Sequence, residues 1–202
     1  MRVLISLIAI LPAAFAQYTS SPAGPAPAAQ AFVQETGLQV VGAGGKVWCE
    51  MWFAKSLPAG AASTGEAVSL PSIPHGAFLG IARFPANAQD RRGNLIKAGV
   101  YAMRYSVYPA DGNHMGAAPQ RDFAILIPAG QDKPPAEMLP YDKLMALSAE
   151  ANGVAHPAVL SLAPSSETTF PALKGTGERD WSLHVKIGGV AVEVIVVGRA
   201  EG

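Results

Sequence analysis

The sequence predicts an all-β protein: an antiparallel β-sandwich of immunoglobulin-like or jelly-roll-like kind, with about eight strands and one short helix in a connection. Three observations carry that expectation. Runs alternating apolar with polar residues recur along the chain, and a period of two marks a strand with one buried face. Glycine-containing turns separate several of these runs at hairpin spacing. Only residues 141–152 read as a helix.

The chain opens with Arg2, an apolar run broken at Pro12, and then Ala14-Phe15-Ala16. That basic, apolar, small-residue layout is the pattern of a secretory signal peptide over residues 1–16, cleaved before Gln17. The run is shorter than the roughly 20 residues that a spanning helix needs. A periplasmic or secreted protein is therefore expected, with no integral membrane segment after cleavage. Residues 17–34 include Ser20-Ser21-Pro22-Ala23-Gly24-Pro25-Ala26-Pro27 and lack a core-forming pattern, so they read as a flexible Pro/Ala-rich leader. Residues 35–202 read as a single β-sandwich domain, within the roughly 100–200 residues usual for one.

Leu38-Gln39-Val40-Val41 and the run from Val47 to Phe53 flank Gly42-Ala43-Gly44-Gly45 and predict a hairpin. Val47, Cys49, Met51 and Phe53 share one face of the second run. Trp48 and Trp52 fall opposite, flanking Glu50, as an aromatic pair either covered by other chain or offered to a sugar or partner. Residues 57–77 have no periodicity, and loops of that length tend to be functional or disordered. Strands are expected at 78–84 and 99–108, the latter with Tyr101, Met103, Tyr105 and Val107 on one face and Arg104 and Ser106 on the other. Residues 121–127 are apolar on both faces, as a central strand would be.

Pro140 suits the first turn of the helix and Gly153 the left-handed position beyond its end, with Tyr141, Leu144, Met145 and Ser148 as its inner stripe. A short strand at 158–162 and a polar loop through Asp180 follow. The last hairpin is the clearest local signal. Trp181, Leu183, Val185 and Ile187 alternate with Ser182, His184 and Lys186, then Gly188-Gly189 turns the chain into Val190 to Val197. The apolar four face the core with Val190, Val192, Val194 and Val196, and His184 opposes Glu193 as a surface cross-strand pair.

Composition excludes several functions. Charged residues make up 15% of the chain with a formal net charge of zero, and no basic stripe is present, so nucleic acid is not an expected partner. Cys49 is the one cysteine, so an intrachain disulfide scaffold is ruled out, and its apolar face makes it a buried thiol. Gly45-Lys46 leads into a strand and lacks the spacing of a phosphate loop. G-x-S-x-G, H-E-x-x-H and S-x-x-K are all absent. No catalytic residue and no cofactor is expected.

Candidate binding residues gather at Asp111, Asn113, His114 and Met115, in Tyr108-Pro109-Ala110-Asp111-Gly112-Asn113-His114-Met115-Gly116. Asp-Gly-Asn also suits turn geometry alone. A metal set would combine His114 with Met115, Asp111, and His75 or His156 brought close by the fold, and imidazole with thioether suits copper. No H-x-H or C-x-x-C spacing supports such a set.

Arg91-Arg92-Gly93-Asn94-Leu95-Ile96-Lys97-Ala98-Gly99-Val100-Tyr101 is similar to a G-x-x-I-x-A-G-x-Y lead-in to a core strand in exported bacterial β-sandwich proteins. The stretch onward to Arg121-Asp122-Phe123 resembles a group of uncharacterised secreted bacterial proteins. The resemblance implies export and a sandwich, and brings no activity with it. The leading expectation is an exported, non-catalytic binding protein for a small ligand, glycan or protein partner. The alternatives are a periplasmic copper- or zinc-handling protein using His114, and an enzyme without a recognised motif.

Overall fold

The computed structural model describes residues 17–21, 24, 27–109, 121–152, 156–176 and 180–198. Its elements run β1 (Gln17–Ser20), β2 (Leu38–Val41), β3 (Val47–Phe53), β4 (Phe78–Phe84), β5 (Ala88–Gln89), β6 (Leu95–Ile96), β7 (Gly99–Val107), β8 (Asp122–Pro128), α1 (Tyr141–Asn152), β9 (Val159–Pro164), β10 (Ala172–Thr176), β11 (Asp180–Ile187) and β12 (Val190–Val197). Among the described residues the protein is mostly antiparallel β with one short α-helix, as expected.

The strand arrangement corrects the sandwich. Ten strands form one sheet in the order β1-β2-β3-β4-β7-β8-β9-β12-β11-β10, and β5 with β6 makes a separate ribbon. The sheet curls until its ends meet. Tyr18 donates its phenolic hydrogen to the Pro171 carbonyl at 2.8 Å, and the Gln34 amide donates to Lys186 O at 3.0 Å. The result is a nearly closed barrel. Alternation requires each strand to bury one face, and one curled sheet satisfies this as well as two stacked ones. The sequence pattern therefore cannot separate the two.

Inside the barrel lie Val40, Cys49, Met51, Phe53, Met103, Tyr105, Leu126, Leu183 and Val192. Residues 17–34, expected as a leader, are partly built into this body. β1 pairs with β2 from Gln17↔Val41 to Ser20↔Leu38, Ala29 and Val33 are buried, and Val33 bridges Ala54. All four β1 residues are exposed, so no apolar alternation marks the strand in the sequence. The expected polar loop before Asp180 likewise contains β10, which pairs with β11.

The last hairpin has the expected register, with Ile187↔Val190, Val185↔Val192, His184↔Glu193 and Leu183↔Val194. Gly188 and Gly189 take φ of 54° and 92°, as a primed turn requires. A bulge at Trp181/Ser182 places Trp181 opposite Val197 rather than Val196. His184 departs from expectation. It is buried, because the chain after β9 covers it and Ser165 Oγ lies 2.9 Å from His184 Nδ1.

The loop over 57–77 packs against one end of the barrel. Leu70 and Ile73 are buried, and Asp122 accepts from Ser69 N, Ser69 Oγ and Leu70 N at 2.8, 2.8 and 3.0 Å. The outer face of β7 and β8 is covered too. Arg104 on β7 is fully buried, bonded through Nε and Nη2 to the Asp132 carboxylate and through its remaining donors to carbonyls of Gly76, Lys133, Pro134 and Glu137. Helix α1 lies on β8, where Ser148 Oγ donates to Leu126 O at 2.7 Å and accepts from Ala158 N at 3.1 Å. Leu144 and Ser148 are buried and Tyr141 and Met145 half-buried, which matches the expected inner stripe. Among the described residues no helix is long and apolar enough to cross a membrane.

Candidate functional site

Phe123, Ile125 and Ile127 point outward from β8 and form a second apolar cluster with Leu139, Leu144 and Val159 beneath α1. Strand alternation dictates this, since Ala124 and Leu126 face the barrel interior. At the Phe123 end of the cluster lies a hollow of about 270 Å³, lined by Arg92, Asn94, Tyr108, Phe123, Tyr141, Met145, His156, Pro157 and Val159. Its floor is buried and aromatic. Tyr108 stacks on Phe123 with ring centroids 4.2 Å apart and planes at 21°. Burial, followed by the nearby Asp90 charge, pushes the Tyr108 hydroxyl up to about 12, so it stays protonated at physiological pH.

The β5–β6 ribbon brings the polar rim. Asp90 accepts from Arg92 N at 2.9 Å, Asn94 N at 2.8 Å and Asn94 Nδ2 at 2.9 Å. Gly93 N donates back to Asp90 O at 2.9 Å, with Gly93 at φ 82°. An aspartate opening a tight turn closed by glycine is the local reason for this geometry. Burial raises the Asp90 carboxyl above its usual value, against the opposing effect of these hydrogen bonds. The turn projects the Arg92 side chain to the hollow. Arg91, its neighbour, points elsewhere and pairs with Asp180 at 3.0 Å. The Arg92 charge also acts to lower the Asp90 carboxyl, though among the described residues no carboxylate forms a close ion pair with it.

Asp111, Asn113, His114 and Met115 lie outside the described residues. The flanks of that segment are well anchored. Tyr108 N donates to Arg121 O at 2.8 Å, and the Arg121 guanidinium donates back to Tyr108 O and, at 2.7 Å, to Glu66 O. Tyr108, three residues before Asp111, is part of the hollow's floor.

The other expected ligands separate. His156 is exposed on the rim of the hollow. His75 is half-buried, its Nε2 lies 2.9 Å from Ser106 Oγ, and its ring centroid is 6.2 Å from that of Tyr141. Burial holds His75 below the usual imidazole value. His75 thus sits beside the Tyr141 ring, and His156 lines the same hollow as Tyr141. Among the described residues no three His, Cys, Asp or Glu side chains gather as metal ligands.

Other chemistry-bearing groups are occupied structurally. Ser106 is fully buried, so its contact with His75 is no accessible nucleophile–base pair. Glu50 is buried between Arg83, Ser21 Oγ at 2.5 Å and Gln39 Nε2 at 3.3 Å. Trp52 is 1% exposed beneath the Arg83 guanidinium, and half-buried Trp48 donates its indole N–H to Val196 O at 2.9 Å, so the two do not form an exposed aromatic pair. Cys49 is fully buried, and burial, reinforced by Glu50, pushes its thiol far above the ordinary range.

Sequence reasoning missed Arg92, Tyr108, Phe123 and Val159 as site residues. Arg92 and Tyr108 are 16 positions apart, and only the pairing of β5 with β6 and the course of β7 bring them to one hollow. Tyr108-Pro109 at a strand end was the one available signal. Neither family profiles, curated proteins nor solved structures yield a match to this chain.

Proposed function

We propose that this chain is an exported, non-catalytic binding protein that holds a small ligand in the hollow between α1, the outer face of β8 and the β5–β6 turn. One observation carries the reading: a concave site with a buried aromatic floor, onto which Arg92, Asn94 and His156 converge. A mostly apolar hollow with a few placed polar groups is the usual form of a small-molecule site. Glu50, Asp122, Arg104 and Ser148 are consumed by structural hydrogen bonds, and the Trp52 indole N–H, which has no partner, is not a catalytic group; this favours binding over catalysis. Export is supported by the layout of residues 1–16.

The test of binding is to fill the hollow. Met145→Trp places a larger side chain on the half-buried wall and should abolish binding of any small molecule that saturates the wild type, while the melting temperature stays close to wild type. Binding that persists in this variant overturns the site. For export, N-terminal sequencing of the protein from the periplasm or medium should start at Gln17, and a chain starting at Met1 overturns it.

A further inference from the structure

We infer that the ligand is a small planar organic anion, a single-ring aromatic carboxylate, with its ring on the Tyr108–Phe123 floor and its carboxylate at Arg92. The inference rests on the binding reading above and adds the ligand's chemistry. Size comes first. The hollow is about 270 Å³, just below the roughly 300–1,000 Å³ of sites for drug-sized molecules, so one ring with a short substituent fits.

Shape follows from the floor. The floor is the nearly buried Tyr108–Phe123 stack, with Tyr141 and Met145 on the wall, and a flat ring packs against aromatic and thioether groups of this kind through edge, offset and sulfur contacts. Charge comes from the rim. Among the described residues Arg92 and His156 line the hollow and no aspartate or glutamate does. The nearest buried carboxylate, Asp90, already accepts three hydrogen bonds from its own turn, two of them from backbone N–H groups. A guanidinium fork matches a carboxylate in two parallel hydrogen bonds, which a neutral hydroxyl cannot reproduce. The turn that fixes Arg92 uses its backbone N–H and leaves the side chain to reach the ligand.

The experiment titrates four probes against the full chain by ligand-observed NMR at low salt: benzoate, benzyl alcohol, benzylammonium and acetate. Benzoate should bind most tightly, with acetate and benzylammonium at least tenfold weaker. Arg92→Gln should weaken benzoate about tenfold, to the level of benzyl alcohol, and leave benzyl alcohol unchanged. Arg92 is exposed, so this variant keeps its fold, checked by an unchanged melting curve. Added salt should weaken benzoate alone. Equal binding of benzoate and benzyl alcohol, insensitive to Arg92→Gln but lost in Met145→Trp, overturns the anion and leaves the site standing. Failure of all four probes to bind, or benzoate binding that survives Met145→Trp, overturns the site and the anion together.

Discussion

Tyr105 on β7 donates its phenolic hydrogen to the Asp122 carboxylate on β8 at 2.5 Å, and neither residue exposes any measurable surface. With Ser69 and Leu70 on the same carboxylate, the pair fastens the 57–77 loop to the end of the barrel. Tyr105→Phe removes one of four donors and should cost about 2 kcal/mol, the worth of a hydrogen bond to a charged group. Asp122→Ala strands several buried donors at once and should cost more than about 3 kcal/mol. Urea denaturation should show both as lower midpoints, and equal losses would refute this ordering.

Arg104 makes a second such anchor. Its five N–H groups all find acceptors, and a lysine has neither the fork nor the number of donors to replace them. Arg104→Lys should destabilise by about 3–5 kcal/mol, as expected when a buried ion pair loses its geometry. Proteolysis should then cut first within 129–139, the segment that Arg104 holds down.

The turn of the last hairpin separates two glycines by their surroundings. A Cβ on Gly188 would stand 2.6 Å from Leu57 N, while one on Gly189 meets nothing within 4 Å. Gly189→Ala should cost about 1 kcal/mol for positive φ alone. Gly188→Ala adds a backbone clash and should cost more than about 3 kcal/mol. Thermal melts of the two variants side by side check the difference.

His75 gives the fold a pH dependence. Burial lowers its folded value below the ordinary 6.5, so as pH falls below 6.5 the unfolded chain takes up a proton that the folded chain refuses. Stability from this group is therefore intact above about pH 6.5 and declines as the medium acidifies towards the folded value. His75→Gln retains a partner for Ser106 without titrating. Between pH 7 and pH 5 its denaturation midpoint should fall less than that of the wild type, and parallel curves would exclude the effect.

Cys49 should resist modification. A thiol fully buried between strands presents no thiolate to a bulky reagent. A disulfide-exchange reagent should label the native protein at least a hundredfold more slowly than the denatured chain, and equal rates would contradict the burial.

The elements that the sequence declares are those whose period is strong and whose neighbours are near. β3, β7, β8, α1 and the β11–β12 hairpin belong to this group. Trp181 to Val197 shows both period and turn, while the bulge at Trp181 and the covering of Ser182 and His184 depend on chain elsewhere. β1 is exposed throughout and β5, β6 and β10 are too short to show an apolar rhythm. They exist because a neighbouring strand supplies the hydrogen bonds. The choice between barrel and sandwich depends on where the sheet's edges go, a question of pairs 153 residues apart such as Tyr18 with Pro171. The hollow was hidden for the same reason. His156 was legible as a residue type, whereas its company of Arg92, Tyr108 and Phe123 arises only from the fold.

The seam between β1 and β10 also constrains when the protein can fold. Its first strand leans on a residue from the last third of the chain, so no partial product emerging N-terminus first can close the wall. Contacts of such separation form slowly, because a long loop must be closed before they reward the closure. A chain of this topology therefore stays open until nearly all of it has been made.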